Sequence, residues 1–288
     1  MTIDVEDYFH VAALSGAIRP EQWSSCEYRA ERNTRRLLSI FAERGIKSTF
    51  FVLGWLAEKS PALIREIHEA GHEVGCHGFS HQMIYKQRPE VFVEETVRSK
   101  RLLEDTIGAR VQGYRAASWS ITRQSLWALD VLVEAGFEYD SSIFPIRHDL
   151  YGIPNAPVAP ARITTPKGHS LVEFPSSIAS IAGMNVPVAG GGYFRLLPYW
   201  LTLFGLRQIN ERSMRPFAFY LHPWEIDPDQ PRIKVGLKSR VRHYTNLNRC
   251  EARLCDLLGR FRFSTMASVL SGLGLLTEER KPPLAQAG

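Results

Sequence analysis

The residues of this sequence most able to do chemistry are two histidines in the stretch His77-Gly78-Phe79-Ser80-His81. Two imidazoles four positions apart can converge on one cation when they lie on a single turn. Residues 73–76, just before the pair, have the pattern of a short strand. Ligands of open α/β sheets bind at the edge where strands end. The pair therefore indicates a metal site, with two surface histidines as the alternative.

Acidic residues directly follow the first predicted strand, where a carboxylate could complete such a site. They are Asp4, Glu6 and Asp7. Two histidines and one carboxylate leave a position open for water, as in hydrolytic zinc sites. A second carboxylate that stays off the metal could take a proton from that water. The residues alone do not assign these roles, and solvated turn residues are the alternative.

Three further candidates stand at the ends of later predicted strands. His222 follows the buried run 217–221 and could protonate a leaving group. Arg115 and Asp140 could hold the base and the acid in position. Each has a structural alternative: a salt-bridged arginine, a turn cap and a structural histidine. Their occurrence at successive strand ends favours an active site.

The elements that would position these residues alternate between strand and helix over the first 140 residues or so. Helices are predicted over 33–44, 61–70, 88–107 and 124–135. Such alternation predicts a mainly parallel sheet with helices outside, either open or closed into a barrel. The first strand is not followed by a glycine-rich phosphate loop, which disfavours a nucleotide-binding fold.

The pattern changes between residues 145 and 216, where prolines and the Gly190-Gly191-Gly192 run indicate loops. We interpret this region as an insertion with short strands, such as 171–174, and a helix near 197–210. Loops around a rigid sheet carry selectivity, so deleting the glycine turn should change substrate preference more than stability. The polar tail, 278–288, is predicted to be disordered.

Composition places the chain among ordinary globular proteins, since 44% of its 288 residues are hydrophobic and 23% are charged. The net charge of +5 does not argue for nucleic acid but suits an anionic glycan or a membrane surface. Neither a spanning apolar run nor a signal-peptide pattern occurs in the sequence. The four cysteines form no disulfide framework. We therefore expect a cytoplasmic protein that could act at the inner face of the membrane, with homo-oligomers left open.

In order and type, these residues resemble the motifs of the polysaccharide deacetylases, carbohydrate esterase family 4. The resemblance covers about residues 2–225 and rests on five stretches: Asp4-Val5-Glu6-Asp7, His77-Gly78-Phe79-Ser80-His81, Arg115, Asp140 and Leu221-His222. It implies an α/β fold, a distorted (β/α) barrel of the polysaccharide deacetylase type. It also implies a divalent metal, usually zinc, and removal of acetyl groups from N-acetylated sugars.

The resemblance also implies a ligand set for the metal. His77 and His81 would be two of its ligands. The family often has two adjacent aspartates in its first motif, whereas the next acidic residue after Asp4 here is two positions on. A variant subgroup has this spacing, which makes Glu6 the third ligand, with Asp7 as the alternative.

Proton transfer follows from the same motifs. Asp4 would be the general base, oriented by Arg115. His222 would be the general acid, tuned by Asp140. The resemblance thus implies one catalytic role for each strand-end residue outside the metal site.

The predicted walls of the site depart from the family at two positions. Ala117 stands where the arginine motif usually has a proline, and Phe144 stands where tryptophan is usual. Trp119, Tyr193 and Trp224 are candidates for stacking on a sugar, with core packing as the alternative.

Parts of these stretches are closer to a subgroup found in bacterial exopolysaccharide loci that also encode exosortase. That subgroup carries a C-terminal extension. Here the extension would be 226–277, packed on a catalytic domain of residues 1–225 that contains the insertion 145–216.

The resemblance leads to a function with two alternatives. The first is a metal-dependent hydrolase that removes N-acetyl groups from a bacterial polysaccharide or its lipid-linked precursor. One alternative is hydrolysis of a small non-peptide amide, because relatives with the spaced first motif include such enzymes. The other is a glycan-binding homologue without turnover.

Overall fold

An eight-stranded sheet carries the candidate residues in the computed structural model, which describes residues 1–181 and 183–277. The strands are β1 (Thr2–Val5), β2 (Thr49–Val52), β3 (Glu73–Cys76), β4 (Gly113–Tyr114), β5 (Tyr139–Asp140), β6 (Ala161–Thr164), β7 (Ser170–Glu173), β8 (Ile178–Ile181), β9 (Met184–Pro187) and β10 (Tyr220–Leu221). Their order in the sheet is β10-β1-β2-β3-β4-β5-β7-β6, with β8 and β9 in a separate hairpin. Only the β6–β7 pair of this sheet is antiparallel among the described residues. The predicted α/β class with a parallel, curled sheet is confirmed.

Ten α-helices lie along the described part of the chain. They are α1 (Ala30–Ala42), α2 (Gly54–Lys59), α3 (Pro61–Glu69), α4 (Pro89–Ile107), α5 (Trp127–Glu134), α6 (Gly191–Leu196), α7 (Tyr199–Arg207), α8 (Leu237–Tyr244), α9 (Leu247–Leu258) and α10 (Met266–Gly272). Proline occupies the first position of α3 and of α4, where its missing N–H costs nothing. None of the helices in this part of the chain has the length and apolarity needed to cross a membrane.

The parallel strands β1 to β5 are almost entirely buried, as expected for parallel strands, whereas the antiparallel edge strand β6 is partly exposed. All four residues of β2 are buried, in line with its continuous apolar run. On the inner face, Phe51, Tyr139 and Val172 pack against Met266 and Leu270 of α10. This helix meets the beginning of the strands. The site described below therefore lies at the opposite, carboxyl ends of the strands.

A hydrogen-bond network fixes α10 to the beginnings of β2 and β3. The carboxylate of Glu73 accepts from Ala267 N–H at 3.1 Å, and Thr49 Oγ1 accepts from Met266 N–H at 2.7 Å. Orphan N–H groups at a helix start need such partners. The helix α10 thus covers the end of the sheet opposite the site, with Met266 and Leu270 buried against the strands. The tail predicted to be disordered, 278–288, lies outside the described residues.

Residues 145–216 form the strands β6 to β9 and the helices α6 and α7. Gly190 has φ +128°, and a Cβ added there would lie 2.0 Å from the carbonyl oxygen of Tyr220 in β10. A Cβ on Gly191 would lie 2.3 Å from the Tyr220 ring. The prediction that deleting this turn changes substrate preference more than stability stays a prediction, but the close packing means that a deletion would also disturb β10. Both glycines allow close packing against the strand that leads to His222.

Candidate metal centre and active site

Glu6, His77 and His81 place three ligand atoms within 4.8 Å of one another. Glu6 follows β1 and His77 follows β3, so two parallel strands end at the same point. The turn after His77 includes Gly78 at φ +75° and His81 at φ +53°. This reversal brings the two imidazole rings to 5.4 Å between centroids. The local motif and the sheet together build the predicted cluster.

The donor set fits a divalent cation. His77 Nδ1 lies 2.8 Å from the carbonyl oxygen of Arg115, which accepts its proton and leaves the lone pair on Nε2. Burial lowers the pKa of His77 to about 4, so the ring is neutral, the form that binds metal. Glu6 Oε2 lies 2.8 Å from His81 Nε2 yet lacks a hydrogen bond of acceptable geometry. A cation shared by the two groups would satisfy this buried oxygen.

Glu6 is held in its ionised form. Burial acts to raise the pKa of Glu6, but the imidazoles of His81, His222 and His77 outweigh it and hold that pKa far below its usual value. An ionised carboxylate and two imidazoles are the ligands that zinc prefers. These side chains are almost completely buried, which excludes most of the competing water.

Asp7, the alternative third ligand, serves another purpose. Its Oδ1 accepts from the N–H of Tyr8 at 2.8 Å. Its Oδ2 accepts from the N–H groups of Arg29 at 2.6 Å and Ala30 at 2.7 Å, at the start of α1. A carboxylate there satisfies orphan donors and complements the helix dipole. The structure therefore places Glu6, and not Asp7, beside the histidines.

Asp4 is buried in β1, with its two oxygens in different surroundings. Oδ1 accepts a hydrogen bond from Arg115 Nη1 at 2.7 Å. Oδ2 faces the site and lies 3.9 Å from His222 Nε2. Arg115 is itself fixed, because it also donates to Thr2 Oγ1 and Ser141 Oγ and is 1% exposed. One oxygen of Asp4 is thus anchored while the other can accept a proton.

His222 stands between two carboxylates after β10. Its Nε2 lies 3.1 Å from Glu6 Oε1, and its Nδ1 lies 2.8 Å from Glu225 Oε2. Burial acts to lower the pKa of His222, but Glu6, Glu225 and Asp4 outweigh it and raise the pKa to about 9. The ring is therefore protonated at neutral pH, as a general acid requires.

The prediction that Asp140 tunes His222 is wrong. Among the described residues, the carboxylates within 4 Å of the imidazole are those of Asp4, Glu6 and Glu225. Asp140 instead accepts from the hydroxyl and the N–H of Ser142.

The surroundings of Asp140 explain what it does instead. Burial raises its pKa to about 6, and burial beside Asp140 raises the pKa of Glu173 well above its usual value. Ser142, held by Asp140, accepts from the N–H of Ala116 at 2.8 Å. Asp140 thus supports the backbone that carries Arg115 on the base side of the site.

Aromatic side chains wall a cavity of about 170 Å³ beside the cluster. Trp119 and Trp224, both singled out in the sequence, line it together with Tyr151 and Tyr220. The two tryptophans are only 6% and 5% exposed, so they are parts of the wall and not free platforms. Tyr193 stands behind the wall, its hydroxyl 3.2 Å from that of Tyr151.

The two family departures, Ala117 and Phe144, lie next to residues of this wall. Phe144 is buried and stacks on Tyr151 with centroids 5.6 Å apart. After Ala117, the backbone of Ser118 and Trp119 is left-handed, with φ +53° and +49°. Such strain in residues other than glycine is typical of functional loops. The substitutions thus leave the aromatic wall in place.

Sequence reasoning missed Glu225 and Arg195, which are both buried behind His222. Glu225 had a detectable signal, since Pro223 opens a turn in which a carboxylate three residues after the histidine can reach back. Arg195 had none.

Comparison with known proteins divides the chain in two. Residues 24–139 match the family model described as polysaccharide deacetylase, and residues 141–271 match a model described as a domain of unknown function, DUF3473. Asp4 and Glu6 precede the first match, and His222 lies within the second. The candidate site is therefore shared between the two segments and the residues before them.

Similar proteins agree with the first match. A peptidoglycan deacetylase of Helicobacter pylori is 30% identical over 137 residues, which is 46% of this chain and 44% of that protein. The match thus spans less than half the length of that relative. A crystal structure from Mycobacterium smegmatis, described as a polysaccharide deacetylase, covers 98% of this chain and 93% of its own, with TM-score 0.59 and 21% identity. The PuuE allantoinase covers 90% and 76%, with TM-score 0.59 and 15% identity. At such identities the two structures show a shared fold.

Proposed function

Because this chain carries a polysaccharide deacetylase domain, we propose that it is a metal-dependent hydrolase that removes N-acetyl groups from a bacterial polysaccharide or its precursor. The observation that supports this most is the convergence of the ligand cluster Glu6, His77 and His81 with Asp4 and His222. These groups offer an electrophile site, a base and an acid. Amide hydrolysis needs all three, because the carbonyl is unreactive and the amine leaves poorly.

Glu6, His77 and His81 would hold the cation, most simply Zn²⁺, which when bound would polarise the acetyl carbonyl and lower the pKa of a water molecule. Asp4 Oδ2 takes a proton as the water oxygen forms its bond to the carbonyl carbon. Arg115 holds Asp4 in place by donating a hydrogen bond to Oδ1. The C–N bond then breaks, and its electron pair stays on nitrogen.

His222 completes the reaction by donating its Nε2 proton to that nitrogen. The products are acetate and a sugar with a free amine. The positions of the groups suit this order, because Asp4 Oδ2 and His222 Nε2 lie 3.9 Å apart and both could reach one amide bound in front of them. The next cycle requires the proton on Asp4 to leave and His222 to be protonated again.

The proposed substrate follows from the aromatic lining of the cavity and from the match to the polysaccharide deacetylase family. Trp119, Trp224, Tyr151 and Tyr220 line the cavity and supply the aromatic wall against which a sugar ring would pack, with Tyr193 supporting Tyr151 from behind. The cavity of about 170 Å³ suits one acetamido sugar, so the rest of the glycan would lie outside it. An exopolysaccharide precursor made in the cytoplasm is our preferred source. All four cysteines are free, which suits a reducing compartment.

A small amide is the second candidate, since a cavity of this size would also admit one. The likeness to the allantoinase concerns the fold alone and does not favour it. A glycan-binding protein without turnover is less consistent with the site, because the cation ligands, base and acid all lie together.

Acetate release decides among these three. The protein, loaded with Zn²⁺, is incubated with N-acetylated oligosaccharides of increasing length and with small cyclic and linear amides. We expect acetate from the oligosaccharides, loss of release with a chelator and recovery on adding zinc. Hydrolysis of the small amides alone, measured as the carboxylate formed because a cyclic amide opens without releasing acetate, supports the second candidate. Binding of the oligosaccharides without any release supports the third.

The rate of deacetylation is expected to fall at alkaline pH. His222 must enter the cycle protonated, and its pKa is raised to about 9, so the acid form is present below that pH and lost above it. A cation bound to Glu6 would partly neutralise one of the carboxylates that raise the pKa of His222, so this pKa would move toward neutrality. Glu225 would still act to raise it. The measurement is kcat against pH with zinc content followed in parallel. His222→Ala should remove the alkaline limb at unchanged zinc content, and a limb that survives in this variant would belong to another group.

A further inference from the structure

Arg195 is a buried arginine whose polar contacts all lie within the segment matched as a domain of unknown function. It is 1% exposed, and its Nε donates to Glu225 Oε1 at 2.6 Å. Nη1 donates to the carbonyl oxygens of His243 and Thr245, both at 2.9 Å. Nη2 donates to the carbonyl oxygen of Arg242 at 2.8 Å. This arginine thus ties α6 and the end of α8 to the turn after β10.

The carboxylate of Glu225 connects Arg195 to His222. One carboxylate oxygen takes the bond from Arg195, and the other lies 2.8 Å from His222 Nδ1. The same oxygen accepts from the backbone N–H of His222 at 3.0 Å. Glu225 is completely buried, so this geometry does not compete with water. A carboxylate on Nδ1 fixes the proton there and turns Nε2 toward the site.

The His222 ring is contacted on one face by an aromatic side chain, in addition to the contact of its Nδ1 edge with Glu225. Trp224 stacks between the rings of His222 and His243, at 5.3 and 4.3 Å between centroids. His243 is anchored by Gln230, with Nε2 and Oε1 2.7 Å apart. Residues beyond 190 therefore hold the Nδ1 edge and one face of the His222 ring, while Nε2 points toward Glu6 and Asp4.

We propose that the segment matched as a domain of unknown function builds the acid half of the active site, with Glu225 and Arg195 as positioning residues for His222. The metal ligands and the base lie outside this segment, at positions up to 81. The inference rests on the proposed function, because it assigns a part of that reaction. It also gives residues 226–277 a role beyond packing on the catalytic domain, because their backbone carbonyls hold Arg195 in place.

The inference can be tested with two substrates whose leaving groups differ in their need for a proton. An amine needs a proton from His222 as its bond to carbon breaks, whereas 4-nitrophenolate leaves as the anion. Damage to the acid should slow the amide reaction and spare hydrolysis of 4-nitrophenyl acetate. Damage to the metal site, the base or the fold should slow both substrates.

The variants are Glu225→Gln and Glu225→Asp. Glutamine keeps the size but presents an N–H₂ group to one of two donors, so His222 or Arg195 loses its acceptor. For Glu225→Gln we expect kcat on an N-acetylated oligosaccharide to fall by roughly 30-fold, less than the full contribution of about 10²–10⁴-fold from general-acid catalysis, because His222 itself remains. Zinc content and the rate on 4-nitrophenyl acetate should change little, and Glu225→Asp should restore part of the amide rate. Arg195→Met should show the same selective loss.

Arg253→Met is the matched control. Arg253 also binds backbone carbonyls at the end of α6, including that of Phe194 at 2.7 Å, but has no bond to Glu225. We expect its ratio of amide to ester rate to equal that of the wild type. Equal losses on both substrates in Glu225→Gln, or an unchanged amide rate, overturn the inference.

A readout without turnover separates this inference from the proposed function. The His222 Nδ1 proton held by Glu225 should give a low-field resonance in the wild-type protein, and Glu225→Gln should abolish or shift it. Its persistence in the variant overturns the inference even where no substrate is turned over. Absence of acetate release from the zinc-loaded wild type, with the resonance behaving as expected, counts against the proposed function alone.

Discussion

Replacing His77 by alanine is expected to abolish zinc binding and acetate release together. The substitution removes one of three ligands, and the two that remain, Glu6 and His81, cannot alone hold the cation in a catalytic geometry. The measurement is zinc per protein by elemental analysis and acetate release at saturating substrate. We expect both to fall to background in the variant, and added zinc to restore neither.

His72→Ala is the control for losing a buried imidazole near the same strand. His72 is 5% exposed and lies just before β3, where its Nδ1 accepts from the N–H of Ser48 at 3.1 Å. This variant should lose stability but keep one zinc ion and most of its kcat. Full deacetylation by His77→Ala, or by metal-stripped wild type, would contradict the metal-dependent mechanism.

The parts of the fold that could be predicted are those set by local signals. Strand β2 is a continuous apolar run, and α4 begins after Arg88 at a proline and ends at Gly108 with φ +65°. A left-handed residue at a helix end strongly favours glycine, so the sequence marks that boundary directly. Alternation of such elements then leaves few topologies other than a parallel sheet. The packing of Gly190 against Tyr220 could not be predicted, because it joins residues 30 positions apart.

The same distinction applies to the site. His77 and His81 lie in one short motif, and Glu6 follows a strand that pairs with the neighbour of β3, so their convergence follows from local pattern and sheet order. Which acidic residue faces His222 depends on how far the sheet curls. Asp140 and Glu225 both follow or end a strand, but β5 lies five places from β10 in the sheet. Only the three-dimensional structure shows that Glu225, and not Asp140, contacts His222.

The buried position of Arg195 is the feature of the site that was least predictable from the sequence. Three of its four partners are backbone carbonyls of residues 242, 243 and 245, and a carbonyl has no side-chain signature. An arginine with this many acceptors looks no different in sequence from an exposed one. Its burial could be found only from the structure.

Asp4→Asn is expected to keep the zinc ion and lose most deacetylation. Asparagine has the shape of aspartate and can still accept from Arg115 Nη1 with its amide oxygen. It cannot take a proton from water, because its amide group has no basic oxygen. We expect kcat to fall by about a hundredfold or more, the usual size of general-base catalysis, with zinc content unchanged. Unlike the acid variants, it should lose activity toward 4-nitrophenyl acetate as well, because both substrates need an activated water.

Asp7→Asn is the matched control, with the same chemical change three residues along the chain. Asp7 accepts from three backbone N–H groups at the start of α1 and elsewhere in the loop, and it does not face the metal ligands. Its variant should unfold more easily, since part of this capping is lost, yet turn over substrate at close to the wild-type kcat. If Asp4→Asn with zinc bound keeps near-normal turnover, Asp4 is not the base. Glu6 would then have to act as both ligand and base, because it lies with Asp4 at His222 Nε2, whereas Glu225 contacts Nδ1.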